Sequence, residues 1–180
     1  LFFFIPAITM RMLAEEKKTG TLELLLTKNV SDRQVVLGKF LAGMLFISIA
    51  LAFTLIYPIS ISKIGNLDNG GTITGYLALI LMSMAYTAIG LFASSITSNQ
   101  IVAFMTALLI GLCFHIIFDV LAASFTGFIG QIFSLLSVTS HYESLSRGVI
   151  DSKDLIFFIS ITLLGLFLAE LALAKRHVNG

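Results

Sequence analysis

His115 and Asp119 stand four residues apart in an apolar part of the chain, and their types and spacing could do chemistry. On a helix, positions i and i+4 share a face. An imidazole and a carboxylate on one face could hold a metal ion or pass a proton, and an ionisable group inside a membrane is a functional candidate by default. Two ligands do not complete a metal shell, and the pair falls near the end of its apolar run, so no metal site is assigned. His141, Tyr142, Glu143 and Arg147 form a second polar cluster, which reads as a solvated outer rim, with an outer substrate gate as the sharper alternative. Glu170 sits within two turns of the end of the last apolar run and reads as a carboxylate that snorkels or bonds a neighbouring helix. Nowhere does Gly-x-x-x-x-Gly-Lys-Ser/Thr occur, nor a nucleophile elbow, His-Glu-x-x-His or a cysteine pair. The single cysteine, Cys113, excludes an internal disulfide. No catalytic set emerges, and the chain is read as no enzyme.

The elements that must carry these residues are membrane helices. The chain has 180 residues, 57% of them hydrophobic and only 12% charged, with a mean hydropathy of +1.00. An ordinary soluble domain is about 25% charged. The fold class expected is an all-α integral membrane protein, a polytopic helical bundle forming one transmembrane domain over residues 1–180 in the lipid bilayer. Net charge of +1 gives no reason to invoke nucleic acid. Residues 1–14 are too short to cross hydrocarbon that needs roughly 20 residues, and are expected to be the inner half of a span that has lost upstream sequence. Further spans are expected at 35–61, broken near its far end by Pro58, and at 76–96, 101–121 and 155–174, the last capped by Ser152 and Asp154. Between them lie a coupling segment at 15–34, turn chemistry at 63–74 and an outer segment at 122–154.

One polar stretch, residues 13–40, interrupts this pattern. It holds Glu15, Glu16, Lys17, Lys18, Glu23, Lys28, Asp32, Arg33 and Lys39, nine of the 21 acidic and basic side chains. The first helix is expected to run on through Ala14, Glu15, Glu16, Lys17 and Lys18 and to stop at Gly20. Thr21 can cap a short helix over 22–27, whose Leu22, Leu25 and Leu26 share one face, with Glu23, Thr27 and Lys28 off it. Asn29 can end that helix, and Ser31 with Gln34 makes a capping box for the next.

These residues carry a resemblance. Glu15-Glu16, Gly20-Thr21-Leu22-Glu23-Leu24-Leu25, Val30-Ser31-Asp32 and Val36-Leu37-Gly38-Lys39 resemble the cytoplasmic segment of ABC-2 type permeases. The closer likeness is to the permease subunit of gliding-motility-type ABC transporters, whose segment before the last span is similar to 140–151 here. Asn29 departs from the proline that the family often has there; both residues end a helix. The resemblance implies that the short helix is a coupling helix docking on a separate ABC ATPase, through Gly20, Thr21, Leu22, Glu23, Leu25, Leu26 and Lys28, with Glu15 and Glu16 on the arm before it. ATP and Mg would then reside on the ATPase, with no cofactor on this chain. The permease would pair with a second permease subunit, identical or related, and export a substrate that the apolar span faces do not identify. The alternatives are a membrane-embedded enzyme using His115 and Asp119, and a passive scaffold whose amphipathic helix lies on the inner leaflet.

Orientation follows from Lys and Arg. The charged stretch with Arg11 carries six basic residues and the loop after the next span only Lys63, so the stretch is expected in the cytoplasm and the chain in the cytoplasmic membrane. Whether 125–138 crosses decides the side of the C-terminus. Basic residues number eight inside and three outside in either case. Length decides: a short run with Gly127 and Gly130 cannot cross as a helix, which puts the C-terminus in the cytoplasm.

Overall fold

Every regular element among the described residues is helical, which is what the backbone must adopt where no water can satisfy it. The computed structural model describes residues 1–21, 31–65 and 68–175. The helices are α1 (Phe4–Thr9), α2 (Ala14–Thr19), α3 (Asp32–Thr54), α4 (Ile56–Ser62), α5 (Asn69–Ile96), α6 (Gln100–Leu112), a π-helical turn at Cys113–Ile117, α7 (Phe118–Ser124), α8 (Phe128–Leu136), α9 (Val138–Ser146) and α10 (Ser152–Ala174). Four stretches among the described residues are long and apolar enough to cross a membrane: Asp32–Ser62, Asn69–Ile96, Gln100–Ser124 and Ser152–Ala174. The chain is a polytopic helical membrane protein.

Local chemistry sets the boundaries, and several differ from expectation. The capping box is formed: Ser31 N–H donates to Gln34 Oε1 at 3.1 Å and Gln34 N–H to Ser31 Oγ at 3.3 Å. The break before α4 falls at Leu55, not at Pro58. Proline at 58 cannot donate to the carbonyl four residues back, and its ring crowds that carbonyl, which belongs to Thr54. Rather than at residue 76, α5 begins at Asn69, so Gly70 and Gly71 are helical. Asp68 drives this early start, because its Oδ1 accepts from Gly70 N–H at 3.0 Å and its carbonyl from Thr72 N–H at 3.0 Å. The first turn of α10 is capped by Asp151, whose Oδ1 accepts from Lys153 N–H at 3.2 Å. Asp154, expected as a cap, is buried instead. The 125–138 run contains α8, a helix of nine residues, which rises about 13 Å, well short of the hydrocarbon thickness.

The chain divides into two compact units. One takes in 1–45, 83–111 and 159–180, the other 46–82 and 112–158. In the first, Leu13, Val36, Phe40, Ala88, Leu91, Ala169 and Leu173 form one buried cluster. Lipid is as apolar as leucine, so such a cluster is held by close packing rather than by exclusion from water, and small residues bring backbones together. A Cβ on Gly165 would stand 2.9 Å from the Ala88 backbone carbon, so α10 meets α5 at a glycine. In the second unit, α7 and α8 form a tight hairpin through Gly127, whose φ is 77°. Phe118 stacks on Phe133 with ring centroids 6.2 Å apart across it. Thr54 Oγ1 and Tyr76 OH lie 3.0 Å apart, tying the break after α3 to α5.

Candidate functional site

The charged stretch is built onto the first unit by a break in its own helix. Residues 10–13 leave the helical path between α1 and α2, where a continuous helix is expected from propensity. Ser94 of α5 takes up the groups this frees. Its Oγ accepts from Leu13 N–H at 3.1 Å and from Ala14 N–H at 2.9 Å, and donates to Met10 O at 3.1 Å. One hydroxyl thus satisfies three backbone groups of the break, and this tertiary contact overrides the local helix preference. Thr9 is buried beneath, its hydroxyl donating to Ile5 O at 2.9 Å.

Two charged side chains then hold α2 down. Lys39 of α3 forms an ion pair with Glu16, the two side chains 30% and 22% exposed. Lys17 Nζ donates to the carbonyl of Ser95 on α5. Glu15 is exposed on the other side. Gly20 ends α2 with φ of 72°, a left-handed conformation that glycine adopts without strain. Thr21 is exposed, its hydroxyl 2.9 Å from that of Thr19. Leu22, Glu23, Leu25, Leu26 and Lys28, the rest of the expected contact set, lie outside the described residues. The arm that leads to them is therefore fixed by α3 and α5 together.

A cavity of about 540 Å³ opens beside this arm, lined by Lys17, Ser95, Thr97, Ser98 and Lys175 among others. Lys17 and Lys175 line the same space, so the end of α10 lies at the end of the unit that carries α2. Glu170 is half-buried and lines a second cavity, of about 420 Å³, with Arg33 of α3.

The polar residues of the second unit separate into different roles. Tyr142 is half-buried and Glu143 and Arg147 are exposed, but His141 is only 5% exposed and leaves the expected solvated rim. Its Nδ1 lies 2.6 Å from Asp154 Oδ1, and its ring stacks on Phe157 with centroids 4.0 Å apart. Burial follows from sequence position: His141 shares a face of α9 with Val138 and Leu145, which are 1% and 0% exposed. Asp119 accepts hydrogen bonds from Ser137 Oγ at 3.1 Å and Ser140 Oγ at 3.4 Å, and the His115 carbonyl accepts from Thr139 Oγ1 at 2.6 Å. His115 and Asp119 thus anchor the start of α9, and no group of three metal-ligating side chains occurs among the described residues. Asp151 precedes α10. Its carboxyl is held below the usual carboxylate range by the backbone N–H of Lys153 first and the Lys153 ammonium second.

Sequence reasoning missed Ser94, Ser95 and the partnering of Lys39 and Asp154. A signal existed for the serines: three small residues in a row, at 93–95 at the end of an apolar run, mark a place where another backbone comes close. None existed for the pairing of Lys39 with Glu16, which joins residues 23 apart in sequence.

A comparison with curated proteins gives no match. The family model described as ABC-2 family transporter protein matches residues 1–176. Four stretches long and apolar enough to cross among the described residues, a charged arm anchored beside two of them, and a family match over nearly the whole length lead to one statement: this chain belongs to the ABC-2 family of transporter proteins, as a membrane-embedded permease component.

Proposed function

We propose that the chain is driven by a separate ABC ATPase that docks on the short segment around 22–27, and that α2 carries the resulting force into the spans. The observation that carries this reading is the double fastening of α2, by Glu16 to Lys39 on α3 and by Lys17 to the Ser95 carbonyl on α5. A passive surface helix needs no such anchorage. A lever does, because a push on a loosely tethered segment would be lost in its own motion. The Leu22, Leu25 and Leu26 stripe would fill a groove on the ATPase, a helix-in-groove mode, with Glu23 and Lys28 at the rim setting specificity. Two arrangements of α3 against α5, biased by the ATPase, would then open and close a path beside a second permease subunit. The charged stretch and the C-terminus would face the cytoplasm; the basic excess and the cavity shared by Lys17 and Lys175 both support that. Export is the direction we favour, from the resemblance, as is the gliding-motility type.

The test separates docking from transmission. Leu25→Asp places a charge in the groove and should abolish ATPase co-purification at matched membrane abundance. Lys39→Glu breaks the fastening and should keep co-purification but lose the coupling of ATP hydrolysis to transport. If Leu25→Asp retains the ATPase, the docking reading fails. If Lys39→Glu stays fully coupled, α2 is not the lever.

A further inference from the structure

His141 and Asp154 lie in the second unit, apart from the docking segment, and the proposed mechanism does not use them. Their hydrogen-bond geometry fixes a proton count. His141 Nε2 lies 3.1 Å from the Leu135 carbonyl, which can only accept, so Nε2 bears a hydrogen. Nδ1 and Asp154 Oδ1 are 2.6 Å apart, too close for two lone pairs and right for a charge-assisted bond, so one proton lies between them.

The carboxylate is not fully used. Asp154 is 0% exposed, and its Oδ2 is buried with no hydrogen-bond partner. Beside it is a cavity of about 130 Å³ lined by Ser134, Ser140, Ser144, His141, Asp154 and Lys153. A cavity needs only about 10–15 Å³ to hold a water, provided polar partners are at hand, and three hydroxyls supply them. Lys153 at the rim is 60% exposed, so the cavity reaches toward solvent.

We propose that the His141–Asp154 pair is a proton-binding site and that this cavity is its hydrated port. In the loaded state the shared proton holds α9 onto the start of α10, and the Nε2 hydrogen holds the end of α8 onto α9. Withdrawing one proton leaves a neutral ring; with its remaining hydrogen on Nδ1, toward Asp154, the Nε2 lone pair faces the Leu135 carbonyl and the end of α8 is released. The surrounding charges are Lys153, paired with Asp151 at 3.1 Å; Asp119, bonded to Ser137 and Ser140; His115 beside Asp119; and on α9 itself Tyr142 and the exposed Glu143, with Arg147 just past its end. From α8 comes no titratable side chain.

The experiment is nuclear magnetic resonance of the full chain in detergent, with histidine rings labelled with nitrogen-15, and His141 identified by the signal lost in His141→Gln. Expected are a proton on Nε2 and a strongly downfield bridging proton on Nδ1 that exchanges with heavy water. Asp154→Asn, which keeps shape but removes the charge, should lose the downfield signal while the protein stays folded. Ser144→Val narrows the port and should slow exchange of the bridging proton. An unprotonated Nε2, or no bridging signal in the unaltered protein, overturns the proton site. Exchange in the unaltered protein as slow as that of the buried α9 amides overturns the port, whether or not the Ser144 variant folds.

Discussion

Replacing Ser94 by alanine tests the break between α1 and α2. The change removes one hydroxyl and, with it, hydrogen bonds at 3.1, 2.9 and 3.1 Å to Leu13 N–H, Ala14 N–H and Met10 O. Leu13 and Ala14 are 0% exposed, so water has no route to replace the lost partner. A buried group left unsatisfied costs about 1–3 kcal/mol. Two buried N–H groups, with the half-buried Met10 carbonyl as a lesser third, set the expected loss at about 3 kcal/mol, since residues 10–13 can recover part of it by drawing toward a continuous helix. That is roughly a hundredfold in the folding equilibrium. Ser95→Ala is the internal control. Its hydroxyl donates only to Phe92 O at 2.7 Å, a carbonyl within the helix, and the loss should stay near 0.5 kcal/mol. The assay is reversible unfolding in mixed micelles, followed by circular dichroism on matched preparations. A Ser94→Ala protein within about 0.5 kcal/mol of the parent would refute the reasoning, since it would mean that the break needs no cap and that α2 is not placed by α5.

Other tests bear on the charged contacts. Glu16→Lys and Lys39→Glu should each weaken the first unit, and the double exchange should restore most of the loss, with a coupling of about 1 kcal/mol for a half-buried pair, read from a double-mutant cycle in the same unfolding assay. Asp151 has a depressed folded-state pKa, so its contribution is present in full above the unfolded value of about 3.9 and is lost as pH falls through the lower folded value. Asp151→Asn should therefore lower the neutral plateau slightly, by the contribution that the parent loses in acid, and so flatten the acid limb of a stability-against-pH profile.

How much of this could be read from residues alone follows from the range of the interactions. Composition and hydropathy announced the spans, because a long apolar segment can satisfy its own backbone in lipid only as a helix. Gly20 and the Ser31–Gln34 box were legible because a cap is decided within a few residues. The break at residues 10–13 was not, since its cause is Ser94, some eighty positions away. Pro58 was seen, but its effect lands one turn earlier, at the carbonyl it cannot bond. The early start of α5 needed only Asp68, yet Gly70 and Gly71 outweighed it as turn signals. His141 and Asp154, 13 residues apart, read separately, the first as part of a solvated rim and the second as a helix cap. Only the packing of α9 against α10 makes them partners.

The π-helical turn at Cys113–Ile117 has a consequence for how the chain can vary. A π turn bonds i to i+5, one residue more than an α turn holds. The extra residue is absorbed as a bulge in the middle of a span, instead of being expelled to a loop. Each residue of an α-helix advances the face by about 100°. Deleting one residue here would remove the bulge and restore regular α winding while leaving α7 on nearly the same face, so that Asp119 could still meet Ser137 and Ser140. A deletion in the regular winding on either side would instead turn everything that follows by that angle. Within a span, this turn is a place where the number of residues can fall by one, as it can in a surface loop, without rotating the chain beyond it.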